Sequence, residues 1–448
     1  MQQVNLGMIG AGTVGSGVCH ALQRNGNLMA DRLGVKISLR KVAVKTLGKT
    51  RAHSFPRSLL TTDWREVVND PDIHIIIELV GGTGVAKTII LAALELGKTV
   101  VTANKALLSS HGKELFAAAA KHGASLYYEA SVCGGIPIIK SLREGFVANQ
   151  FSAIYGIVNG TCNYILTRMK LEGAEFADVL ADAQKLGYAE TPPDLDIDGF
   201  DAQHKIGILA SLAHGFWVDH DDIHTEGIRT VSKIDMQFAQ LLGYTIKLLG
   251  IVKQANGAKT KHGIRNTKQK TRNGVQVSVY PALIPSTHVL ASVNQVFNAV
   301  FVRGDIVGES LFYGRGAGRD ATASAVLSDV ADAALDLKNN AKIRVPPFVA
   351  HAKNACVTPM DEIVSRYYVR LDVVDQPGVL AKVAAIFAAA KIGISSVVQP
   401  EGHEGESVPL ILMLHDAPNS AMRKALAKIS KLPAVKSSPV MFRVESLE

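Results

Sequence analysis

A glycine-rich hexapeptide near the start of the chain constrains the fold more than any other feature of the sequence. It directly follows the β-rich run Val4–Ile9 and opens a helical stretch. In this setting the first glycine permits a tight turn, the second lets the backbone approach a pyrophosphate, and the third allows close helix–strand packing. The helix N-terminus adds N–H donors and a positive partial charge for phosphates. The sequence therefore predicts a dinucleotide-binding Rossmann domain with cofactor contacts at Gly10, Gly12, Thr13, Val14 and Gly15.

The end of the second predicted strand, Leu39–Val44, bears on the choice of cofactor. An NAD site usually places an acid here to bind the ribose hydroxyls. In this chain Lys45 and Arg51 follow the strand, and the first acid is Asp63. Because a cation suits a 2′-phosphate, we predict NADP as the cofactor, with NAD also possible. The alternative interpretation of Lys45 is a solvated strand end.

Two further predicted strands, Ile73–Leu79 and Thr99–Thr102, end next to polar or glycine-rich segments. In a doubly wound sheet, ligands bind outside the carboxyl ends of the strands. Gly81 follows the first of these strands and Lys105 the second. We therefore expect Gly81 to contact the cofactor and Lys105 to face cofactor and substrate.

An acid-rich stretch begins at Gly187 and runs into an apolar helix. Its prolines and glycine predict a loop over Glu190–Asp198, and the helical pattern starts at Gly199. Asp201 and Lys205 lie four positions apart, so they share one face of that helix. A lysine beside carboxylates could hold an amino-acid substrate and pass a proton to it. The simple alternative is a solvated helix face.

Composition and charge narrow the class of protein. The net charge of +8 comes from 48 basic against 40 acidic residues and is spread thinly, so no nucleic-acid partner is predicted. The densest basic cluster, 259–272, is predicted to be an exposed hairpin. None of the four cysteines shows metal-binding spacing, and no segment predicts a signal peptide or a membrane span. We expect a cytoplasmic protein with no membrane partner.

Six motifs along the chain occur together in one known family. They are GAGTVGSGV, ELVGGT, VVTANKALL, YEASVCGGIPII, GIVNGTCNYIL and GYAETPPDLDIDGFDAQHK. In this order they closely resemble homoserine dehydrogenase, and the likeness covers the whole chain. The resemblance implies NAD(P)-dependent interconversion of L-aspartate 4-semialdehyde and L-homoserine, on the branch toward threonine, methionine and isoleucine. It also implies the monofunctional form, because no aspartate kinase segment precedes the first strand.

The resemblance assigns roles to individual residues. Lys205 matches the family's proton-donating lysine, Asp201 its neighbouring carboxylate, and Lys105 a lysine near the nicotinamide. Substrate-binding positions are matched by Glu190, Asp196, Gly160, Thr161 and Tyr188. A structural sodium ion is implied at Glu129, Val132, Gly134 and Ile136, mostly through backbone carbonyls. Gly314 and Gly316 belong to a late glycine-rich loop that returns to the cofactor.

The C-terminal part of the chain has a separate pattern. Strand and helix signals after Tyr367 follow a βαββαβ order, which predicts a small α+β, ferredoxin-like unit. The opening DQPGVL resembles the ACT domain, a dimerising module that binds amino-acid effectors. The resemblance implies feedback inhibition, with L-threonine as the effector and Gly378 at the effector-facing turn. The alternative is a unit that only dimerises.

These observations predict an α/β protein built from several domains. The expected parts are a Rossmann domain (1–130), a central α/β catalytic and dimerisation domain (131–312), a return segment (313–350) and an ACT-like domain (366–448). A homodimer or homotetramer is expected. A rival enzyme would be an acylating semialdehyde dehydrogenase with Cys133 or Cys162 as the nucleophile. A non-enzyme rival would be an amino-acid sensor that has lost turnover.

Overall fold

The structure is a computed structural model that describes residues 1–53, 55–254, 273–341, 343–400 and 405–448. The strands in this part of the chain are β1 (Gln2–Ile9), β2 (Val35–Ala43), β3 (Leu60–Thr61), β4 (Ile75–Glu78), β5 (Thr99–Thr102), β6 (Leu126–Tyr127), β7 (Phe151–Ile157), β8 (His224–Thr225), β9 (Tyr244–Gln254), β10 (Asn273–Pro285), β11 (Phe297–Gly304), β12 (Gly308–Arg315), β13 (Ala355–Val357), β14 (Val364–Val374), β15 (Ile394–Val398), β16 (Ser407–Pro418) and β17 (Val440–Val444).

The α-helices alternate with these strands over much of the chain. They are α1 (Thr13–Leu33), α2 (Arg65–Val68), α3 (Val85–Glu95), α4 (Lys105–His122), α5 (Ile138–Lys140), α6 (Gly160–Glu172), α7 (Phe176–Lys185), α8 (Asp194–Ile197), α9 (Phe200–His214), α10 (Lys233–Leu241), α11 (Arg319–Lys338), α12 (Val379–Ala389) and α13 (Asn419–Ile429). None of the helices among the described residues is long and apolar enough to cross a membrane.

The chain divides into two compact units, and the first contains the predicted Rossmann domain. It is formed by Met1–Ser152, His204–Asp221 and Phe297–Ala355. Its parallel sheet has the strand order β3-β2-β1-β4-β5-β6, which is a doubly wound arrangement. Apolar residues on both sheet faces are buried, as expected for parallel strands, and helix α11 packs Val326 and Val330 into the same core. The predicted Rossmann fold is confirmed.

The second unit is formed by Ala153–Gln203, Asp222–Val296 and Cys356–Glu448. Its strands follow the order β7-β9-β10-β17-β14-β16-β15. Strand β17 pairs in parallel with β10 and antiparallel with β14, so it joins the central strands to the C-terminal ones. From β14 to β17 the element order is βαββαβ, as predicted, around a core that includes Val369 and Phe387.

Two local expectations need comment. The predicted loop over Glu190–Asp198 is wrong in its second half, because Asp194–Ile197 forms the short helix α8. Pro193 precedes that turn and is confined to a φ compatible with a helix start, and acidic residues in a first turn favour the helix dipole. The predicted hairpin at 259–272 lies outside the described residues. The bounds of the four parts inferred from the sequence stay a prediction.

Candidate active site

The glycine-rich turn between β1 and α1 forms one side of a cavity of about 720 Å³ in the first unit. Gly10 has a φ of 105°, and a Cβ there would lie 2.4 Å from the Leu79 carbonyl oxygen. A Cβ on Gly15 would lie 2.3 Å from the Gly10 oxygen, whereas a Cβ on Gly12 would have no atom of the described residues within 4 Å, apart from its chain neighbours. The three glycines therefore serve a tight turn, an open approach to the backbone, and close packing.

Three cations line the same cavity after strand β2. They are Lys45, Lys49 and Arg51. The Arg51 guanidinium donates to the backbone oxygens of Lys49 (2.8 Å) and Thr46, so its position is fixed by the turn. Sequence reasoning identified Lys45 and Arg51 but missed Lys49. Lys49 lies four positions after Lys45, and only the folded turn brings it to the same cavity. The cluster provides positive charge for an additional phosphate.

A buried hydrogen-bond network connects the carboxyl ends of β4 and β5. The Glu78 carboxylate accepts hydrogen bonds from the Val80 N–H (2.7 Å) and the Gly81 N–H (3.2 Å). Its other oxygen accepts from the Thr102 hydroxyl at 2.7 Å, and that hydroxyl accepts from the Asn104 N–H at 3.0 Å. The network fixes the turn at Gly81, which has a φ of 78°.

The start of helix α4 depends on the same network. The Asn104 side chain accepts from the Leu107 N–H (3.1 Å) and donates to the Gly82 oxygen (2.8 Å). Lys105 is the first residue of α4 and directly follows this cap. Lys105 is therefore held at a strand end, where the sequence placed it. Glu78 and Asn104 had no predicted role, although both occur in the motifs.

The late glycine-rich loop packs within the first unit, and its return to the cofactor stays a prediction. A Cβ on Gly134 would lie 2.7 Å from the Gly316 oxygen, and the Gly135 N–H donates to the Arg315 oxygen at 3.1 Å. Gly314 lies at the end of β12, beside the Ile136 side chain. The loop 314–318 therefore packs against the segment for which a sodium ion was implied.

That segment is buried and irregular. Glu129 is buried, and its carboxylate accepts from the N–H groups of Ile139 (2.9 Å) and Lys140 (2.7 Å). Burial raises the pKa of Glu129 to about 7, against the lowering effect of these two N–H groups. Val132 and Ile136 are also buried. Among the described residues, no group of three or more His, Cys, Asp or Glu side chains is arranged to hold a metal ion.

Two carboxylates with predicted roles in the site, Asp196 and Asp201, are brought together in the second unit by a residue that sequence reasoning did not single out. The Asn159 side chain donates to Asp196 Oδ1 (2.8 Å) and to Asp201 Oδ2 (2.9 Å). Its own oxygen accepts from the Cys162 N–H at 2.8 Å, so Asn159 also caps helix α6. An Asn-Gly pair after a strand was a usable cap signal. Its contacts to distant acids could not be read from the sequence.

The other predicted substrate positions surround the start of α6 or lie on the loop before α8. Gly160 is the first residue of α6, and the Thr161 hydroxyl donates to the Tyr188 oxygen at 2.6 Å. The Tyr188 ring packs edge-on against Tyr164, with centroids 5.0 Å apart. Glu190 is exposed on the loop before α8.

Helix α9 carries the predicted acid–base pair. Asp201 and Lys205 lie four positions apart on it, and both are buried, with exposures of 5% and 7%. Buried charged groups require partners, so the interpretation as a solvated helix face is wrong for these residues. A buried lysine on the same helix face as a buried carboxylate can hold and transfer a proton.

Comparison with known proteins decides the family. The family model "Homoserine dehydrogenase" matches residues 137–331, and "Homoserine dehydrogenase, NAD binding domain" matches 10–129. A homoserine dehydrogenase of Neisseria gonorrhoeae is 40% identical over 100% of both chains, and one of Synechocystis is 41% identical over 99% of this chain and 100% of its own. The chain belongs to the homoserine dehydrogenase family.

Solved homoserine dehydrogenase structures agree with this conclusion. The protein from Thiobacillus denitrificans has a TM-score of 0.91 and 40% identity, covering 100% of this chain and 99% of its own. A hyperthermophilic archaeal homoserine dehydrogenase, solved in complex with NADPH, has a TM-score of 0.61 and 25% identity over 75% of this chain and 98% of its own. The protein is an NAD(P)-dependent oxidoreductase that acts on a small molecule.

The cysteine positions agree with homoserine dehydrogenase and not with the acylating rival. Cys162 is fully buried, and its thiol donates to the Asp196 backbone oxygen at 3.2 Å. Cys133 is also buried, with a φ of 56°. A thiol nucleophile has to reach its substrate, and neither of these sulfurs is accessible.

Proposed function

We propose that this enzyme interconverts L-aspartate 4-semialdehyde and L-homoserine, on the branch toward threonine, methionine and isoleucine, with NADP as the preferred cofactor. The observation that carries the proposal is the Asn159 side chain, which bonds the carboxylates of Asp196 and Asp201 at the start of α6. Helix α9 places Lys205 one turn beyond Asp201. This arrangement supports an amino-acid substrate whose reacting oxygen takes up or loses a proton.

The carboxylates bind the ammonium end of the substrate in this proposal. Homoserine carries an ammonium group, and charge-assisted hydrogen bonds to carboxylates are stronger and shorter than neutral ones. Asp196 is partly exposed, so one of its oxygens can reach solvent or substrate while Oδ1 accepts from Asn159. Glu190, exposed on the loop before α8, would add a second acid. Gly160, Thr161 and Tyr188 would line the substrate.

Lys205 is the proposed general acid and base. The nicotinamide supplies or accepts the hydride when it is bound. Reduction of the aldehyde builds negative charge on its oxygen, and the Lys205 ammonium would stabilise that oxygen and donate a proton to it. In the reverse direction the neutral amine would accept the hydroxyl proton. The Asp201 carboxylate lies on the same face of helix α9 as Lys205. Lys105, at the start of α4, would lie beside the cofactor.

The first unit would hold the cofactor through the glycine-rich turn between β1 and α1 and through the cations that follow β2. The backbone N–H groups at Gly12, Thr13 and Val14 open helix α1 and suit a pyrophosphate. Lys45, joined by Arg51, suits a 2′-phosphate. The open approach at Gly12 fits a bound dinucleotide, because a side chain there would occupy the space next to the phosphates.

A sodium ion fits the buried segment that contains Glu129 and Ile136. The Glu129 carbonyl accepts from the Val132 N–H (3.3 Å), and the Ile136 carbonyl accepts from the Ile138 N–H (2.8 Å). A carbonyl oxygen has two lone pairs, so each retains one for a cation. We propose that these carbonyls, with those of Val132 and Gly134, hold the ion in a structural role.

The C-terminal βαββαβ unit would bind an amino-acid effector, and the expected one is L-threonine. A cavity of about 390 Å³ lies at its DQPGVL turn and is lined by Asp375, Gln376, Gly378 and Gln399. The Gln399 amide donates to Asp375 Oδ1 at 3.0 Å, so the polar lining is ordered. Gly378 has a φ of 88°, and among the described residues no atom lies within 4 Å of the position that a Cβ would take there. A homodimer or homotetramer is the proposed assembly.

The deciding assay follows NADPH oxidation by the purified chain with L-aspartate 4-semialdehyde, with and without L-threonine. Turnover that threonine suppresses supports both the catalytic and the regulatory proposals. Turnover that ignores threonine keeps the dehydrogenase and leaves the C-terminal unit as a dimerising module. No turnover with either NADPH or NADH would overturn the proposed reaction.

A further inference from the structure

A four-residue segment of the second unit, Glu226–Arg229, lies between the C-terminal strands and the loop that carries Asp196. We call this segment the strap. Its first residue is bonded to β17 and its last residue to the ends of α8. Neither Glu226 nor Arg229 is among the predicted substrate-binding residues.

The first end of the strap is held by a buried arginine. Arg443 of β17 is 1% exposed and donates from both terminal nitrogens to the Glu226 carboxylate, at 2.9 and 3.0 Å. Its guanidinium lies 4.5 Å from the centre of the Tyr280 ring and also donates to Asn419 Oδ1 at 2.9 Å. A bidentate arginine–carboxylate pair fixes orientation as well as distance. Glu226 is therefore tied to the C-terminal strands.

The middle of the strap packs backbone against backbone on the substrate loop. The Ile228 N–H donates to the Ile197 oxygen at 2.8 Å. A Cβ on Gly227 would lie 2.1 Å from that same oxygen and 2.4 Å from the Asp198 Cα. Only glycine allows the two backbones to lie this close. Any shift of the strap relative to helix α8 would therefore break this packing.

The far end of the strap clamps α8 from both sides. The Arg229 guanidinium donates to Asp198 Oδ2 (2.9 Å) and to the Asp194 carboxylate. Asp196 lies between these two acids, with its side chain on Asn159. The strap therefore fixes the short helix whose middle residue faces the substrate site.

We propose that Glu226 and Arg229 are positioning residues for Asp196, and that the strap makes homoserine affinity depend on the C-terminal strands. This inference rests on the proposed role of Asp196 in binding the substrate ammonium. A four-residue helix has little stability of its own, so its orientation has to come from outside contacts. The strap supplies such contacts in addition to the hydrogen bonds of Asn159 and Cys162 to Asp196, and it is anchored on β17.

The test compares Arg229→Gln with Arg40→Gln in the full-length enzyme. Arg40 is a matched control because it also clamps two carboxylates, those of Asp70 (3.0 Å) and Asp72 (2.6 Å), with a similar side-chain exposure of 43% against 46%. Arg229→Gln is expected to raise the KM for homoserine on the order of tenfold, with the cofactor KM unchanged. Arg40→Gln is expected to leave the homoserine KM at its wild-type value.

Two further variants separate the strap from the proposed function. Glu226→Gln should raise the homoserine KM in the same direction, while Lys253→Gln, which removes a different ion pair to the C-terminal strands (Lys253 Nζ to Glu445, 2.8 Å), should not. Arg229→Gln should add little in an Asp196→Asn background, because the two changes act through one group.

The outcomes are distinguishable. If Asp196→Asn raises the homoserine KM and Arg229→Gln behaves like Arg40→Gln, the strap proposal is overturned and the substrate site stands. If Asp196→Asn itself leaves the homoserine KM unchanged, the substrate role of Asp196 fails and the strap proposal fails with it. The Glu226→Gln variant would leave the charge of Arg443 buried and unpaired, which can prevent folding. In that case the Arg229→Gln variant still tests the strap proposal, because Arg229 lies on the surface.

Discussion

The carboxylate of Glu78 and the hydroxyl of Thr102, 2.7 Å apart, join the carboxyl ends of two neighbouring parallel strands in the cofactor-binding unit. The two residues are direct partners in the register of β4 and β5, and both are fully buried. Because the hydroxyl also accepts from the Asn104 N–H, one oxygen links the turn at Gly81 to the start of α4.

Replacing Thr102 by Val should therefore damage both the fold and the cofactor site. The change leaves a buried carboxylate oxygen and the Asn104 N–H without their partner, which costs about 1–3 kcal/mol of unfolding free energy. We also expect a raised cofactor KM. Thr99→Val, at the start of the same strand, is the control. Urea unfolding together with cofactor titration would check this, and equal stabilities for the two variants would argue against the network.

Lys205→Ala should lower turnover by roughly a hundred- to ten-thousand-fold, because general acid–base assistance is lost. Cofactor binding should stay near normal, as measured by NADPH fluorescence. Lys185→Ala, at the exposed end of α7, is the matched control. A Lys205→Ala enzyme with the wild-type rate would remove Lys205 from the proton-transfer role.

Lys45→Asp should weaken NADP binding more than NAD binding. Loss of a charge-assisted hydrogen bond, with a repulsive carboxylate in its place, predicts a change in the ratio of the two affinities on the order of tenfold or more. Lys36→Asp places the same charge change at the other, exposed end of strand β2. Dissociation constants for both cofactors would be measured by titration, and an unchanged ratio would place the 2′-phosphate elsewhere.

Gly378→Ala should reduce inhibition by threonine. The residue has a φ of 88°, and a left-handed conformation costs a residue other than glycine about 1–2 kcal/mol, so the turn beside the proposed effector cavity would be distorted. We expect a higher half-inhibitory threonine concentration with little change in uninhibited turnover. Gly243→Ala introduces the same strain (φ 84°) away from that cavity. Equal threonine sensitivity in the two variants would count against an effector at Gly378.

His214 should lower the free energy of unfolding at mildly acidic pH. Burial lowers the pKa of His214 to about 4, and its Nε2 has no hydrogen-bond partner among the described residues. The unfolded chain, with an ordinary histidine pKa near 6.5, then binds more protons between pH 6.5 and 4. The free energy of unfolding is therefore not reduced by His214 above pH 6.5. Below that pH it falls by about 1.4 kcal/mol per pH unit at most. Urea unfolding of wild type and His214→Gln at pH 7 and 5 should show a smaller pH effect in the variant. His122→Gln, at an exposed histidine, should retain the full wild-type effect.

Local sequence patterns predicted those parts of the fold whose signals are short-range. The strand at Thr99–Thr102 occurs at the predicted residues, and the glycine turn at Gly10 has the expected conformation. In each case the determinant, a β-branched run or a glycine at a strained turn, lies within a few residues. Helix α8 was missed because prolines and acids also favour loops, and the contacts of α8 with the strap and with Asn159 join residues that are distant in the sequence.

The contacts of the site were less accessible to sequence reasoning than its residues. Asp196 and Asp201 were identified through motifs, but Asn159, which bonds both of them, was not. Hydrogen bonds between groups some 40 positions apart depend on the tertiary fold, and no local pattern encodes them. The same limit applies to Arg443 and Glu226, which lie still farther apart in the sequence.

Helix α11 has a consequence for how the enzyme is made. The cofactor-binding unit takes its sheet from residues 1–152, yet part of its core comes from Arg319–Lys338. During synthesis the parallel sheet therefore emerges with α1 but without α11, and that part of its core stays incomplete while residues 153–318 are translated. Parallel sheets fold slowly because their contacts are distant in the chain, and exposed apolar surface favours aggregation. Until α11 has been translated, the N-terminal segment therefore lacks the apolar residues, such as Val326 and Val330, that complete its core.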